Sequence, residues 1–171
     1  MTYLKPLIKK DVIPFYEWLN NEDVIRYSLS IFQKINTKQD IDEWYNTLLE
    51  NNDYKFGIFL KDSNKLIGYC GICNISNSKK EGEYFIFIGE KDQWGKGIST
   101  QCTKEIVRIG FKELQLNRIT LTVSEPNIGG IKSYERAGFV ADGNKKNASF
   151  RDGKFHNKIQ MSIQKPDTIS K

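Results

Sequence analysis

Apolar residues recur along this chain with two different spacings, and the switches between them mark out its elements. Residues 3–8 read as a first strand. Asp11, with Pro14 in the first turn, is the candidate cap of a helix running through FYEWLN. Thr37 and Asp40 make a capping-box-like start to a second helix. There Ile41, Trp44, Tyr45 and Leu48 fall at i, i+3, i+4 and i+7 on one face. The period then changes. YKFGIFL (54–60) reads as a strand, KDSN as a turn, and KLIGYCGICNI (65–75) as the hairpin partner. The polar stretch SNSKKEG (76–82) turns the chain again, and EYFIFIG (83–89) completes a three-strand meander.

Beyond QWGKGIST (93–100), Cys102, Ile106 and Ile109 lie along one helical face that Val107, Phe111 and Leu114 widen. NRITLTVS (117–124) alternates Ile119, Leu121 and Val123 against threonines, the pattern of a half-buried strand. Another helix follows and stops at Gly138, a candidate left-handed cap. The chain closes with a hairpin: SFRDGKF turns at Asp152-Gly153, after which Ile159, Met161 and Ile163 alternate. The order is strand, two helices, three-strand meander, helix, strand, helix, two-strand hairpin. It predicts an α/β (α+β) fold in one domain over residues 1–165, a mixed and mostly antiparallel central sheet flanked by helices. The strand–helix–strand passage at 83–124 supplies a parallel pair. Residues 166–171 are expected to form a disordered tail.

Composition narrows the function classes. The 171 residues are 39% hydrophobic and 27% charged, enough for one domain with a real core. No apolar run reaches about 18 residues and the N-terminus has no apolar h-region, so a cytoplasmic protein with no membrane partner is expected. Lysine dominates the net charge of +5 and is spread along the chain without a basic block, which suits an anionic ligand as well as a solvated surface. The lysines are not interleaved with aromatics, so no nucleic-acid partner is expected. CGIC at 70–73 has the spacing of a redox or zinc pair. In a strand, however, Cys70 and Cys73 face opposite sides, and only Cys102 and His156 remain as further ligands. No metal is expected.

QWGKGIST asks for a chemical explanation. A glycine turn between a strand and the first turn of a helix presents free backbone N–H groups and the positive end of the helix dipole to an anion. A pyrophosphate is the natural guest, and a tight strand–helix turn with no ligand is the alternative. The P-loop pattern fails, because five residues separate Gly89 from Gly95 and Gly97 stands where Ser or Thr should be. The dinucleotide fingerprint fails at Thr100.

Residues 127–139 read NIGGIKSYERAGF. With the loop Trp94-Gly95-Lys96-Gly97-Ile98-Ser99 they resemble the Gcn5-related N-acetyltransferase (GNAT) superfamily. Its acetyl-CoA loop has the form [RQ]-x-x-G-x-[GA], and a segment N-x-x-A-x-x-x-Y-x-x-x-G-F follows downstream. Asn127, Tyr134, Gly138 and Phe139 fit that segment, and Gly130 replaces its alanine. The closest style is the branch of ribosomal-protein and spermidine acetyltransferases, with W-G-K-G-x-[AG]-T and then F-x-D-G-x-[YF]-x-[DN]. FRDGKFHN at 150–157 fits the latter, and Ser99 departs from the former.

The resemblance implies an acetyl-CoA-dependent N-acetyltransferase acting on a primary amine by direct attack in a ternary complex, without a metal. It assigns Tyr134 as the acid that protonates the departing thiolate. Glu83 is the candidate acceptor of the amine's proton, or else an exposed strand-end carboxylate. A bulge at Phe87 or Ile88 would free an amide for the carbonyl oxygen. The acetyl-CoA contacts are then Phe87, Ile88, Trp94, Gly95, Lys96, Gly97, Ile98, Ser99, Thr100 and Asn127, the last serving also as a helix cap. Tyr16, Glu17, Tyr27, Asp40, Glu43, Trp44, Phe155 and His156 would wall the acceptor. A small amine, a polyamine or an amino sugar, leads over a protein N-terminus. A CoA-binding sensor is the non-catalytic alternative, and a homodimer is common in this branch.

Overall fold

The computed structural model describes residues 1–151 and 153–167. One seven-stranded sheet carries the architecture. Its strands are β1 (Thr2–Lys5), β2 (Lys55–Leu60), β3 (Leu66–Ser76), β4 (Glu81–Ile88), β5 (Arg118–Ser124), β6 (Val140–Arg151) and β7 (Lys154–Gln164), in the order β1-β2-β3-β4-β5-β7-β6. Among the described residues, β4 and β5 are the one parallel pair. The helices are α1 (Ile13–Trp18), α2 (Glu22–Ile25), α3 (Lys38–Glu50), α4 (Ile98–Lys112) and α5 (Ile128–Arg136). Among the described residues no helix is long and apolar enough to cross a membrane.

The sheet divides the apolar residues into two cores. On one face α4 buries Cys102, Ile106 and Ile109 against Cys70, Ile72, Tyr84, Ile119 and Leu121. On the other, Phe15 and Trp18 of α1 and Ile41, Tyr45 and Leu48 of α3 pack with Tyr69 and Phe87. Cys70 belongs to the α4 side, and strand alternation turns Cys73 to the opposite face, so the CGIC thiols point apart.

Several boundaries differ from expectation. β1 stops at Lys5, because Pro6 has no N–H to continue the pairing with β2. Asp11 does not cap α1. Its carboxylate accepts the Ile8 N–H at 2.9 Å, closing a 3₁₀ turn over Lys9–Val12. Thr37 does cap α3, accepting the Asp40 N–H at 3.1 Å. The turn expected over 76–82 is shorter, and β4 starts at Glu81. β6 is longer than the hairpin signal and mostly exposed, so it shows no apolar alternation to read. Within the expected turn, Gly153 has φ 72°, while Asp152 lies outside the described residues. Of the expected tail, residues 166 and 167 are exposed and 168–171 lie outside the described residues.

Candidate active site

β4 and β5 pair over a very short stretch, from Glu81 opposite Arg118 to Glu83 opposite Thr120. Beyond it β4 runs on beside β3 to Ile88, while β5 runs on beside β7 to Ser124. The sheet therefore parts in its middle. A cavity of about 590 Å³ lies at the parted end, lined by Ile86–Ile88, the turn before α4, and the first turns of α5.

Register decides which backbone groups face this cleft. The Gly89 N–H donates to the Ile67 carbonyl at 2.8 Å, and β3 and β4 pair without a shift from Gly68↔Ile88 back to Cys73↔Glu83. By antiparallel alternation Phe85 and Phe87 turn their backbone to β3, whereas Ile86 and Ile88 turn theirs to the open side. The expected bulge at Phe87 or Ile88 is thus replaced by the early departure of β5. Of the two residues, Ile88 is the one whose amide faces the cleft. Phe87 lines the cavity, but its side chain is buried in the α1–α3 core. The Ile88 carbonyl accepts the Trp94 indole N–H at 3.0 Å, which ties the turn to the end of the strand.

In the turn, Gly95 and Gly97 have φ of 74° and 79°. A Cβ at either would meet nothing within 4 Å, so these glycines are required for conformation and not for space. Gly97 begins α4 without any side-chain cap, and the first helical bond is Gln101 N–H to Gly97 carbonyl at 3.1 Å. The N–H groups of Ile98, Ser99 and Thr100 therefore remain for an outside acceptor. The uncapped N-terminus, the two left-handed glycines and the lining hydroxyl of Ser99 fit a pyrophosphate.

Lys96 is not part of the lining. Its ammonium lies 3.4 Å from the Gln93 side-chain oxygen. The cations that do line the cavity are Arg26, Lys91, Lys132 and Arg136, and Asp23 is the acid among the described lining residues. Lys91 and Asp23 pair at 2.8 Å, and the ammonium holds the Asp23 carboxyl below its ordinary value.

Tyr134 lines the cavity from α5, its ring edge-on to Tyr84 at 6.1 Å and to Phe139 at 6.3 Å. Burial among these rings pushes its phenol up to about 12. Ser133, its neighbour, donates to the Ser99 hydroxyl at 2.9 Å. Asn127 caps α5, its side-chain oxygen accepting the Gly130 N–H at 3.0 Å. A Cβ at position 130 would come within 2.6 Å of the Asn127 amide nitrogen, so glycine there lets the carboxamide fold over the helix start.

Glu83 stands apart. It does not line the cavity, and its carboxylate accepts the Asn74 amide at 2.8 Å. Alternation puts it on the Phe85–Phe87 side of β4, away from Tyr134. Of the expected acceptor wall, Tyr27 lines the cavity, and Glu17 lines a shallower depression with Asn20, Asn21, Glu22 and Asp23. Trp44 packs on Phe15, Phe32 and Tyr69, and Tyr16 bonds to Asp42.

Lys132, Arg136 and Ser133 escaped the sequence reading. A helical projection of IKSYER would have found the first two, one turn apart on α5 and bracketing Tyr134. Nothing local marks Lys91, Arg26 or the partner of Ser133.

Comparison with known proteins bears on the family and the fold. The family described as acetyltransferase (GNAT) domain matches residues 2–140. A probable N-acetyltransferase of Bacillus subtilis (strain 168), YjcK, is 28% identical over 130 residues, covering 76% of this chain and 72% of the relative. The spermidine N(1)-acetyltransferase of Escherichia coli (strain K12) is 26% identical over 160 residues, covering 94% of this chain and 84% of the relative. Among solved structures, the Vibrio cholerae spermidine N-acetyltransferase in complex with CoA and spermine superposes with a TM-score of 0.82 over 95% of each chain. At 23% identity that likeness speaks for the fold.

Proposed function

The chain belongs to the GNAT acetyltransferases, acetyl-CoA-dependent N-acetyltransferases, and from that premise we propose direct acetyl transfer to a small cationic amine, with polyamines as the first class to test. The observation that carries the reading is a single cavity joining the uncapped N-terminus of α4, the outward amide of Ile88 and the Tyr134 side chain. Bound acetyl-CoA supplies a thioester carbonyl and a thiol leaving group.

The chain's own groups divide the remaining work. Gly95, Gly97 and the first N–H groups of α4 hold the pyrophosphate, and Lys132 and Arg136 add charge at the same wall. Asn127 keeps its amide N–H₂ for the pantetheine arm while its oxygen caps α5. The Ile88 amide serves the carbonyl oxygen as negative charge develops there. Tyr134 keeps its proton at neutral pH, as a phenol raised to about 12 must, and so can act as the acid at the cavity wall. No cysteine is among the described lining residues, and Cys70 and Cys102 are buried, which supports transfer without an acetyl-cysteine.

Glu83 serves as proton acceptor only through solvent on the α3 side, since it does not line the cavity. For the acceptor, Asp23 links the cavity to the depression that also holds Glu17 and Glu22. Glu17 and Glu22 at that lip, beside Asp23 whose charge Lys91 already meets, favour a cation, and some relatives of this chain are spermidine acetyltransferases. The test is CoA release from acetyl-CoA with spermidine, spermine, amino sugars and N-terminal peptides. Turnover with polyamines alone supports the reading. Turnover confined to peptides or sugars overturns the acceptor, and CoA binding without any turnover overturns the catalysis.

A further inference from the structure

Three hydroxyls meet where α4 and α5 touch. Ser133 donates to Ser99 Oγ at 2.9 Å, and Thr100 Oγ1 lies 3.2 Å from Ser133 Oγ. All three residues line the cavity, and Ser133 is itself buried. A helical serine ordinarily spends its proton on a carbonyl of its own helix. Here that proton crosses to another helix. Ser133 has a single proton and it is committed to Ser99, so Thr100 is the donor in the contact between Thr100 and Ser133. The result is a one-way chain, Thr100 to Ser133 to Ser99. The Ser99 oxygen is an acceptor in this chain, and its own proton has no role there. Ser99 occupies the second position of α4, beside N–H groups that have no helical partner. A hydroxyl that accepts a hydrogen bond is a stronger donor for it.

We propose that Ser133 is a positioning residue for the cofactor's pyrophosphate, holding the Ser99 hydroxyl with its proton turned into the cavity. The phosphate seat then has a side-chain donor beside the backbone donors of the turn, and α5 becomes part of it. This rests on the acetyl-CoA reading above and adds a residue outside the glycine turn. It also explains Ser99: the hydroxyl stands where a smaller residue would suffice because Ser133 is placed to orient it.

The experiment measures CoA affinity by calorimetry, and KM and kcat with two donors, acetyl-CoA and S-acetylpantetheine, which lacks the pyrophosphate. The proteins are the parent, Ser99→Ala, Ser133→Ala and the double variant. Loss of a hydroxyl donor to a charged group predicts CoA binding weakened about tenfold in Ser99→Ala. Ser133→Ala, which removes one neutral hydrogen bond and the orientation it gives Ser99, is expected to lose about fivefold. The double variant should be no weaker than Ser99→Ala alone, since both changes break one chain. The loss should fall on KM for acetyl-CoA and not on kcat, and KM for S-acetylpantetheine should stay within about twofold of the parent. Additive losses, equal losses with both donors, or no loss in Ser133→Ala would overturn the proposal. Should Ser133→Ala fail to give a cooperative melt, Ser133→Cys keeps the bulk of the side chain, donates only weakly and carries the same expectation. A parent protein that binds no CoA would instead defeat the acetyl-CoA reading itself.

Discussion

Gly89 lies flat against the indole of Trp18: a Cβ on the glycine would sit 2.0 Å from the ring. The same indole donates to the Glu90 carboxylate at 3.1 Å, and Lys65 pairs with that carboxylate at 3.2 Å. The end of β4 is thereby clamped to α1 just before the turn that begins the proposed cofactor site. Gly89→Ala must push Trp18 out of the α1–α3 core, and overpacking of this kind costs about 1–3 kcal/mol. Urea denaturation should show that loss, together with a raised KM for acetyl-CoA. An unchanged midpoint would mean that the clamp yields freely.

Tyr134→Phe removes the proposed acid and keeps the ring packing against Tyr84 and Phe139. Removing a general acid predicts a fall in kcat of about 10²–10⁴, with CoA affinity little changed. Calorimetry beside steady-state kinetics separates the two. A parental kcat in the phenylalanine variant would remove Tyr134 from the chemistry.

The raised phenol also makes a statement about alkaline stability. Its folded value, about 12, lies above the ordinary 10, so the folded state holds this proton more tightly. The stabilisation is complete below pH about 10 and is lost as pH rises through about 12. Thermal midpoints of the parent should therefore fall over that window, and Tyr134→Phe should fall less steeply. The parent's kcat should show no descending limb from this group below pH about 11.

Lys132 and Arg136 line the cavity from one side of α5. Replacing both by alanine should raise KM for acetyl-CoA about tenfold and flatten its dependence on salt, because the lost attraction is the screened part. Kinetics at low and at physiological ionic strength distinguish this from a packing defect, which salt would not mask.

Asp23 shares the cavity and the acidic lip, and Lys91 holds its carboxyl below the ordinary value. A depressed value means that its interaction is present above pH about 4 and lost as pH falls further. Asp23→Asn should raise KM for spermidine about threefold to tenfold at neutral pH, through loss of one exposed charge. If only KM for acetyl-CoA changes, the residue belongs to the cofactor wall.

The order of the elements was legible along the chain because it depends on local rules. The apolar face of α3 and the strand alternation of β5 are periodicities. The left-handed turns at Gly95, Gly97 and Gly138 follow from a missing Cβ, and Thr37 and Asn127 cap helices that start beside them. α2 and β6 were not legible. The first has four residues, too few to show a period, and the second is mostly exposed and has no apolar face.

The direction of each group into the cleft belongs to the tertiary structure alone. Ile88 and Phe87 are adjacent and both apolar, and only the pairing of β4 with β3 turns one amide into the gap and the other away. The gap exists because β5 leaves β4 after Glu83 to follow β7, a choice made by strands far apart in sequence. Lys96 sits in the glycine turn yet lies outside the cavity, while Lys132 and Arg136 enter it from a helix about thirty residues on. Ser133 finds Ser99 across two helices. Local periodicity determines which residues form a helix or a strand and which face is apolar. Where a side chain or an amide finally points depends on the register of its distant partners, and so the chemistry of this site was decided by packing.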